Sequence, residues 1–154
     1  MPAHLVVHEP DLAILIAAGY RGLTERLDEA IRSAGIEMRP AWGYVLRALA
    51  AESLPLGRLA ELLDVTKQAA QQTIDDMVAA GLVVRQPDPV DGRRKLLELT
   101  GKGRRVRRIA DGVSAELEQE LGPLAGGLRA GLLALIRQHG DEAHVLARRS
   151  RAVW

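Results

Sequence analysis

The sequence predicts a mainly α-helical chain carrying one small β-hairpin, and three observations predict it. Apolar residues recur at threes and fours through most of the 154 positions, as they do on amphipathic helices. Two of these helical stretches are separated only by Asp64-Val65, which leaves room for a sharp turn and no more. After Gly81 the pattern changes: Leu82-Val83-Val84-Arg85 and Lys95 to Leu99 flank the turn formers Pro87-Asp88-Pro89, as two strands and a loop would.

Asp11 is placed to cap a first helix in which Leu12, Leu15, Ile16, Gly19, Leu23, Leu27 and Ile31 share a face, ending between Ser33 and Gly35. Pro40 suits the first turn of a second helix, with Trp42, Val45, Leu46 and Leu49 on one side and an end near Ser53. Pro55 opens a third, where Leu56, Leu59, Leu62 and Leu63 are spaced for burial. Thr66 can cap a fourth, on which Ala70, Thr73, Ile74, Met77 and Val78 cluster and Gly81 is the stop. Leu97 and Leu99 of the hairpin can then face the core.

Residues 54–100 therefore order as helix, turn, helix, strand, basic loop, strand, which is a winged helix-turn-helix. Such a domain sets one polar helix face and one cationic loop tip on the same side, suited to a major groove and its flanking minor groove. Gln68 and Gln72 fall opposite the apolar face of the fourth helix, and an amide there can pair with adenine. Lys67 suits a phosphate, Gln71 flanks the reading pair, and the helix start at Thr66 adds backbone donors. Asp75 and Asp76 would repel phosphate, so only the first half of this helix enters a groove unless those acids pair with arginines. At the loop tip, Asp91-Gly92-Arg93-Arg94, Arg93 is the candidate for minor-groove insertion, with Arg94 beside it. A carboxylate–guanidinium fork from Asp91 is expected to hold Arg93 in place.

A net charge of +1 is too small to indicate a polyanion partner, but its distribution is uneven. Eight basic residues lie between Arg93 and Arg108 against the single acid Glu98, and the run begins at the hairpin tip. The absence of cysteine removes disulfides, thiolate ligands and thiol redox sensing. His4, His8, His139 and His144 show no metal-site spacing, so neither metal nor cofactor is expected. Phosphate-loop, nucleophile-elbow and zinc-protease motifs are missing, which argues against an enzyme. No apolar run approaches 18 residues and the start lacks a signal-peptide pattern, so a cytoplasmic protein is expected.

The segments Leu-Ala-Glu-Leu-Leu-Asp-Val-Thr, Ala-Ala-Gly-Leu-Val, Asp-Pro-Val-Asp-Gly-Arg-Arg and Leu-Glu-Leu-Thr-Gly-Lys-Gly resemble the MarR family. The likeness is sharpest over residues 56–104, and the Asp-x-Arg wing followed by Leu-Thr-x-x-Gly is its most specific part. It implies a homodimeric transcriptional regulator, expected to repress, on a pseudo-palindromic operator, often released by a small aromatic or phenolic ligand. Two positions depart from the family pattern: Asp64 stands where glycine is common, and Gln71-Gln72 where serine and arginine are frequent. The alternative is a winged helix that binds another protein without specific DNA recognition, since a fold does not dictate its partner.

Beyond this domain, Val106, Ile109, Val113, Leu117 and Leu121 continue at helical spacing. Gly122-Pro123 interrupts them, and Leu124, Leu128, Leu132, Leu135 and Ile136 form another stripe before His139-Gly140. An intramolecular helix cluster or a twofold dimer could cover these faces. A dimer is favoured because it also sets two reading helices about one DNA turn apart. The expected division is a dimerisation helix over 1–38, the winged domain over 39–100 and dimerisation helices over 101–154. A ligand pocket is expected where the first, second and fifth helices meet, with Tyr20, Met38, Trp42 and Arg47 as lining candidates.

Overall fold

A computed structural model describes residues 10–39 and 41–138. Pro40 and the four histidines, on which two of the sequence expectations fall, lie outside the described residues. The element order is α1 (Leu12–Ser33), α2 (Trp42–Ala51), β1 (Leu54–Pro55), α3 (Leu56–Leu63), α4 (Lys67–Ala79), β2 (Val83–Pro87), β3 (Lys95–Leu99), α5 (Gly101–Leu121) and α6 (Leu124–Gln138). Local chemistry sets the boundaries, with the caps at Asp11 and Thr66 as anticipated and the one at Thr100 not. The Asp11 carboxylate accepts from the Ile14 amide at 2.9 Å, Thr66 Oγ1 from Ala69 at 3.1 Å and Thr100 Oγ1 from Gly103 at 3.1 Å. Gly35 and Gly81 end their helices at φ of 74° and 72°.

One boundary and one strand differ from the sequence expectation. The second helix stops at Ala51, two residues early, because the chain turns extended at Glu52 to form β1. That strand adds an edge to the hairpin, giving an antiparallel sheet in the order β1-β3-β2, with Leu54 opposite Leu97 and Pro55 opposite Leu96. A two-residue strand has no readable alternation, and its proline sits on an edge where a missing amide is tolerated.

The core lies where α2, α3 and α4 meet the sheet. Leu59, Ile74, Met77 and Leu82 are fully buried, joined by Trp42, Val45, Leu46, Leu49, Leu97 and Leu99. The flanking helices enter this core too: Ile31 from the end of α1 and Val106 from the start of α5 are part of it. The winged domain is thus sealed by residues on both sides of the 39–100 segment.

Farther out the apolar stripes lose their cover. Leu12, Ile14, Leu15 and Tyr20 on α1 are exposed, as are Leu124 (71%) and Leu128 (50%) on α6, where no residue is buried. Helix α1 runs along α5, with Arg26 donating to Glu120 and Glu116 at 2.8 Å each, and Arg129 of α6 donates to Glu118 at 2.6 Å. These bridges tie the helices together, and Val106 and Val113 of the α5 stripe are buried while the outer residues of the α1 and α6 stripes stay exposed.

Candidate nucleic-acid interface

The fourth helix is anchored at its end and open at its start. The carbonyls just past its end are taken up by the Leu-Thr-Gly-Lys-Gly segment: Thr100 Oγ1 donates to Gly81 O at 2.6 Å, Lys102 Nζ to Ala80 O at 2.8 Å and the Thr100 amide to Leu82 O at 3.0 Å. Gly103 completes the junction, because a Cβ there would stand 2.2 Å from Leu82 O. This docking role of Thr100, Lys102 and Gly103 escaped the sequence reasoning, which treated Lys102 as part of a basic run. Spacing alone does not show which carbonyls a side chain will reach.

At the open end, Thr66, Lys67 and Gln68 are exposed, and Lys67 and Gln68 have no side-chain partner among the described residues. The turn that aims this helix holds Asp64 at φ 53°, ψ 45°, the left-handed conformation that glycine would adopt more cheaply. Farther along, both acids are paired with arginines. Arg39 Nη1 donates to Asp76 Oδ2 at 2.5 Å, and Arg85 Nη2 donates to Asp75 Oδ1 at 2.5 Å. The glutamines one turn earlier join the same carboxylates: Gln71 Nε2 donates to Asp75 Oδ1 at 2.9 Å and Gln72 Nε2 to Asp76 Oδ1 at 3.4 Å. Gln71 first, and then Arg85, hold the Asp75 carboxyl below its usual range.

The wing loop is organised by its aspartates. The Asp88 carboxylate accepts from the Val90 amide at 2.8 Å and, more weakly, from Asp91 at 3.3 Å. Asp91 Oδ1 accepts from the Arg93 backbone amide at 3.1 Å, and the Arg94 amide donates to Asp91 O at 2.8 Å. The expected fork between Asp91 and the Arg93 guanidinium is therefore replaced by a bond to the backbone. The reason is geometric: a side chain two residues back closes a compact Asx turn more readily than it reaches the end of a long arginine. Arg93 and Arg94 are exposed, and neither guanidinium has a partner among the described residues.

The basic run does not form a single surface. Lys102 is spent on Ala80 O, Arg104 Nη1 donates to Leu99 O at 2.5 Å, and Arg107 pairs with Asp111. Arg93, Arg94 and Lys95 remain at the wing.

The four candidate pocket residues have different environments within one chain. Trp42 belongs to the core, with Arg39 stacked over its ring at 5.5 Å, and Met38 packs against the same core. Tyr20 and Arg47 are exposed. Tyr44 is their neighbour and was missed by the sequence reasoning: burial raises its pKa, Tyr20 adds to the rise and Arg47 opposes it. A cleft of about 360 Å³ lies between the end of α2, β3 and α5, where Glu52, Glu98, Arg104, Arg107 and Arg108 line it. Among the described residues no group of histidines and carboxylates could hold a metal ion, and no helix is long and apolar enough to cross a membrane.

The MarR family model matches residues 36–94. No curated protein matches the chain in sequence. Among solved structures, the chain is similar to reduced MarR from E. coli, with 25% identity, 84% of this chain and 98% of that chain covered, and a TM-score of 0.58. It is also similar to the PcaV transcriptional regulator from Streptomyces coelicolor in complex with its natural ligand, with 28% identity, coverage of 89% and 99%, and a TM-score of 0.55. A MepR mutant from S. aureus bound to an oligodeoxyribonucleotide shares the fold at 20% identity, with coverage of 84% and 99% and a TM-score of 0.58. The capped open helix, the arginine wing, the family match over residues 36–94 and the shared fold agree: the chain has a winged helix-turn-helix similar to that of MarR-family transcription regulators.

Proposed function

We propose that the protein is a homodimeric repressor that binds a pseudo-palindromic DNA operator. Gln68 and Gln72, with Gln71 beside them, meet base edges in the major groove. Lys67 and the amides at the Thr66 cap meet phosphate, while Arg93, with Arg94 near it, reaches the adjacent minor groove. The observation that carries this reading is the pairing of an open, capped α4 start with a wing tip whose two arginines are free of partners among the described residues. The MepR variant seen with an oligodeoxyribonucleotide has the same fold and supports it.

The uncovered stripes of α1 and α6 supply the subunit contact, with 1–38 and 101–154 as the dimerisation segments and 39–100 as the reading domain. A small aromatic or phenolic effector that loosens the complex completes the proposal; that PcaV is seen in complex with a natural ligand supports ligand binding by this fold. Arg93→Ala is expected to weaken binding to a duplex selected by the protein from a random pool by about 1 to 3 kcal/mol while leaving the melting temperature unchanged. Fluorescence anisotropy on labelled duplex measures this. Unchanged affinity removes the wing from the mechanism, and a response flat to added salt favours a protein-binding role instead.

A further inference from the structure

We propose that Asp75 and Asp76 set the base preference of this protein by fixing which way the amides of Gln71 and Gln72 face, and that Arg85 and Arg39 are the positioning residues that hold those carboxylates in place. The inference rests on the DNA-reading role given above to α4.

A glutamine amide has two chemically opposite ends, an oxygen that accepts and an NH2 that donates. Facing water, the two orientations differ little in energy, so an exposed glutamine offers both patterns to a base. An ionised carboxylate only accepts. Placed one helical turn away, it attracts the NH2 and repels the oxygen. Gln71 and Gln72 are both in this situation, with Nε2 donating to Asp75 and Asp76. Each amide therefore turns its oxygen away from the acid and keeps one spare N–H. An outward oxygen favours a contacted base that presents an amino group in the major groove, adenine N6 or cytosine N4, over guanine or thymine, whose edges there hold only acceptors.

The same acids would be a liability beside phosphate were they not neutralised. Both are. Arg85 comes from the wing strand β2, and Arg39 from the segment between α1 and α2, where it also stacks on core residue Trp42. The two arginines approach from different elements and each reaches a different acid, so each glutamine has its own chain of support. Gln71, Asp75 and Arg85 link the reading helix to the wing, while Gln72, Asp76, Arg39 and Trp42 link it to the start of α2. Gln68, four residues before Gln72 and without a partner among the described residues, has no such constraint.

The test uses the full-length wild-type protein and the variants Asp75→Asn, Asp76→Asn, Arg39→Ala and Arg39→Lys. The probes are the wild-type-selected duplex and a panel with each position changed to the other three base pairs. Either Asn variant is expected to lose roughly ten-fold of discrimination at one position per half-site. Affinity for unrelated duplex should hold or rise slightly, since a negative charge has gone. Arg39→Ala reproduces the Asp76→Asn profile, and Arg39→Lys, which keeps the charge, restores the wild-type one. Variants that keep the full wild-type profile overturn the inference while leaving the DNA-reading role intact. So does a uniform loss on every duplex with a lowered melting temperature, which marks a merely structural role. A wild-type protein that selects no duplex at all overturns both the role and the inference.

Discussion

Gly103→Ala should destabilise the protein although it places a better helix former inside a helix. A methyl on Gly103 would stand 2.2 Å from the Leu82 carbonyl oxygen and 3.2 Å from its carbon, both backbone atoms that cannot rotate aside. To restore ordinary contact the start of α5 must retreat by roughly 1 Å. Overpacking of this kind costs about 1 to 3 kcal/mol. The retreat also stretches the 3.0 Å bond from the Thr100 amide to the same oxygen, a loss of about 1 kcal/mol. Against this stands a gain of about 1 kcal/mol in helix preference. A net loss of about 1 to 3 kcal/mol is expected. Gly112, on the same helix, has open space around it, so Gly112→Ala shows the preference alone and should gain about 0.5 to 1 kcal/mol. Urea unfolding followed by circular dichroism, at one fixed protein concentration because a dimer's stability depends on it, measures both. If Gly103→Ala stabilises the protein as Gly112→Ala does, the close junction between α5 and the end of α4 is wrong.

Two further outcomes follow from the turn and from the acids. Asp64 sits at φ 53°, so Asp64→Val should cost about 1 to 2 kcal/mol more than Asp64→Gly in the same unfolding assay; equal losses would show that the left-handed turn is not held. The Asp75 carboxyl is held below its usual value of 3.8 by Gln71 first and by Arg85 next, and Glu120 is held below its own by Arg26. Because both folded values are depressed, their contribution to stability is present at neutral pH and is lost as the pH falls through them. A carboxyl NMR titration should find the Asp75 midpoint below 3.8 and returning upward in Gln71→Ala, and no return would detach the amide from the acid.

Much of the fold is local chemistry and was legible in the residues. Asp11, Thr66, Gly35 and Gly81 mark helix ends through caps that need only neighbours within four positions. The buried faces of α2, α3 and α4 follow from apolar spacing at 3.6 residues per turn, and Leu97 and Leu99 from alternation. The polar start of α4 and the arginine tip of the wing are equally local, because each lies within a few residues of the cap or turn that presents it. The resemblance over 56–104 added the family on these same segments.

What the one-dimensional pattern could not decide was who meets whom across the chain. Arg39 and Arg85 find Asp76 and Asp75 over separations of 37 and 10 residues, and Lys102 reaches Ala80 O over 22. Each of these pairings depends on where two elements are set by burial of their apolar faces, and charge alone allowed many other partners. Trp42, by contrast, lies in the core as its place on the apolar face of α2 indicates. Sequence periodicity determined which face of each helix is hidden, because that is a property of one helix. Only the packed structure decided which arginines hold the acids of α4 and which remain at the wing, because that depends on several elements at once.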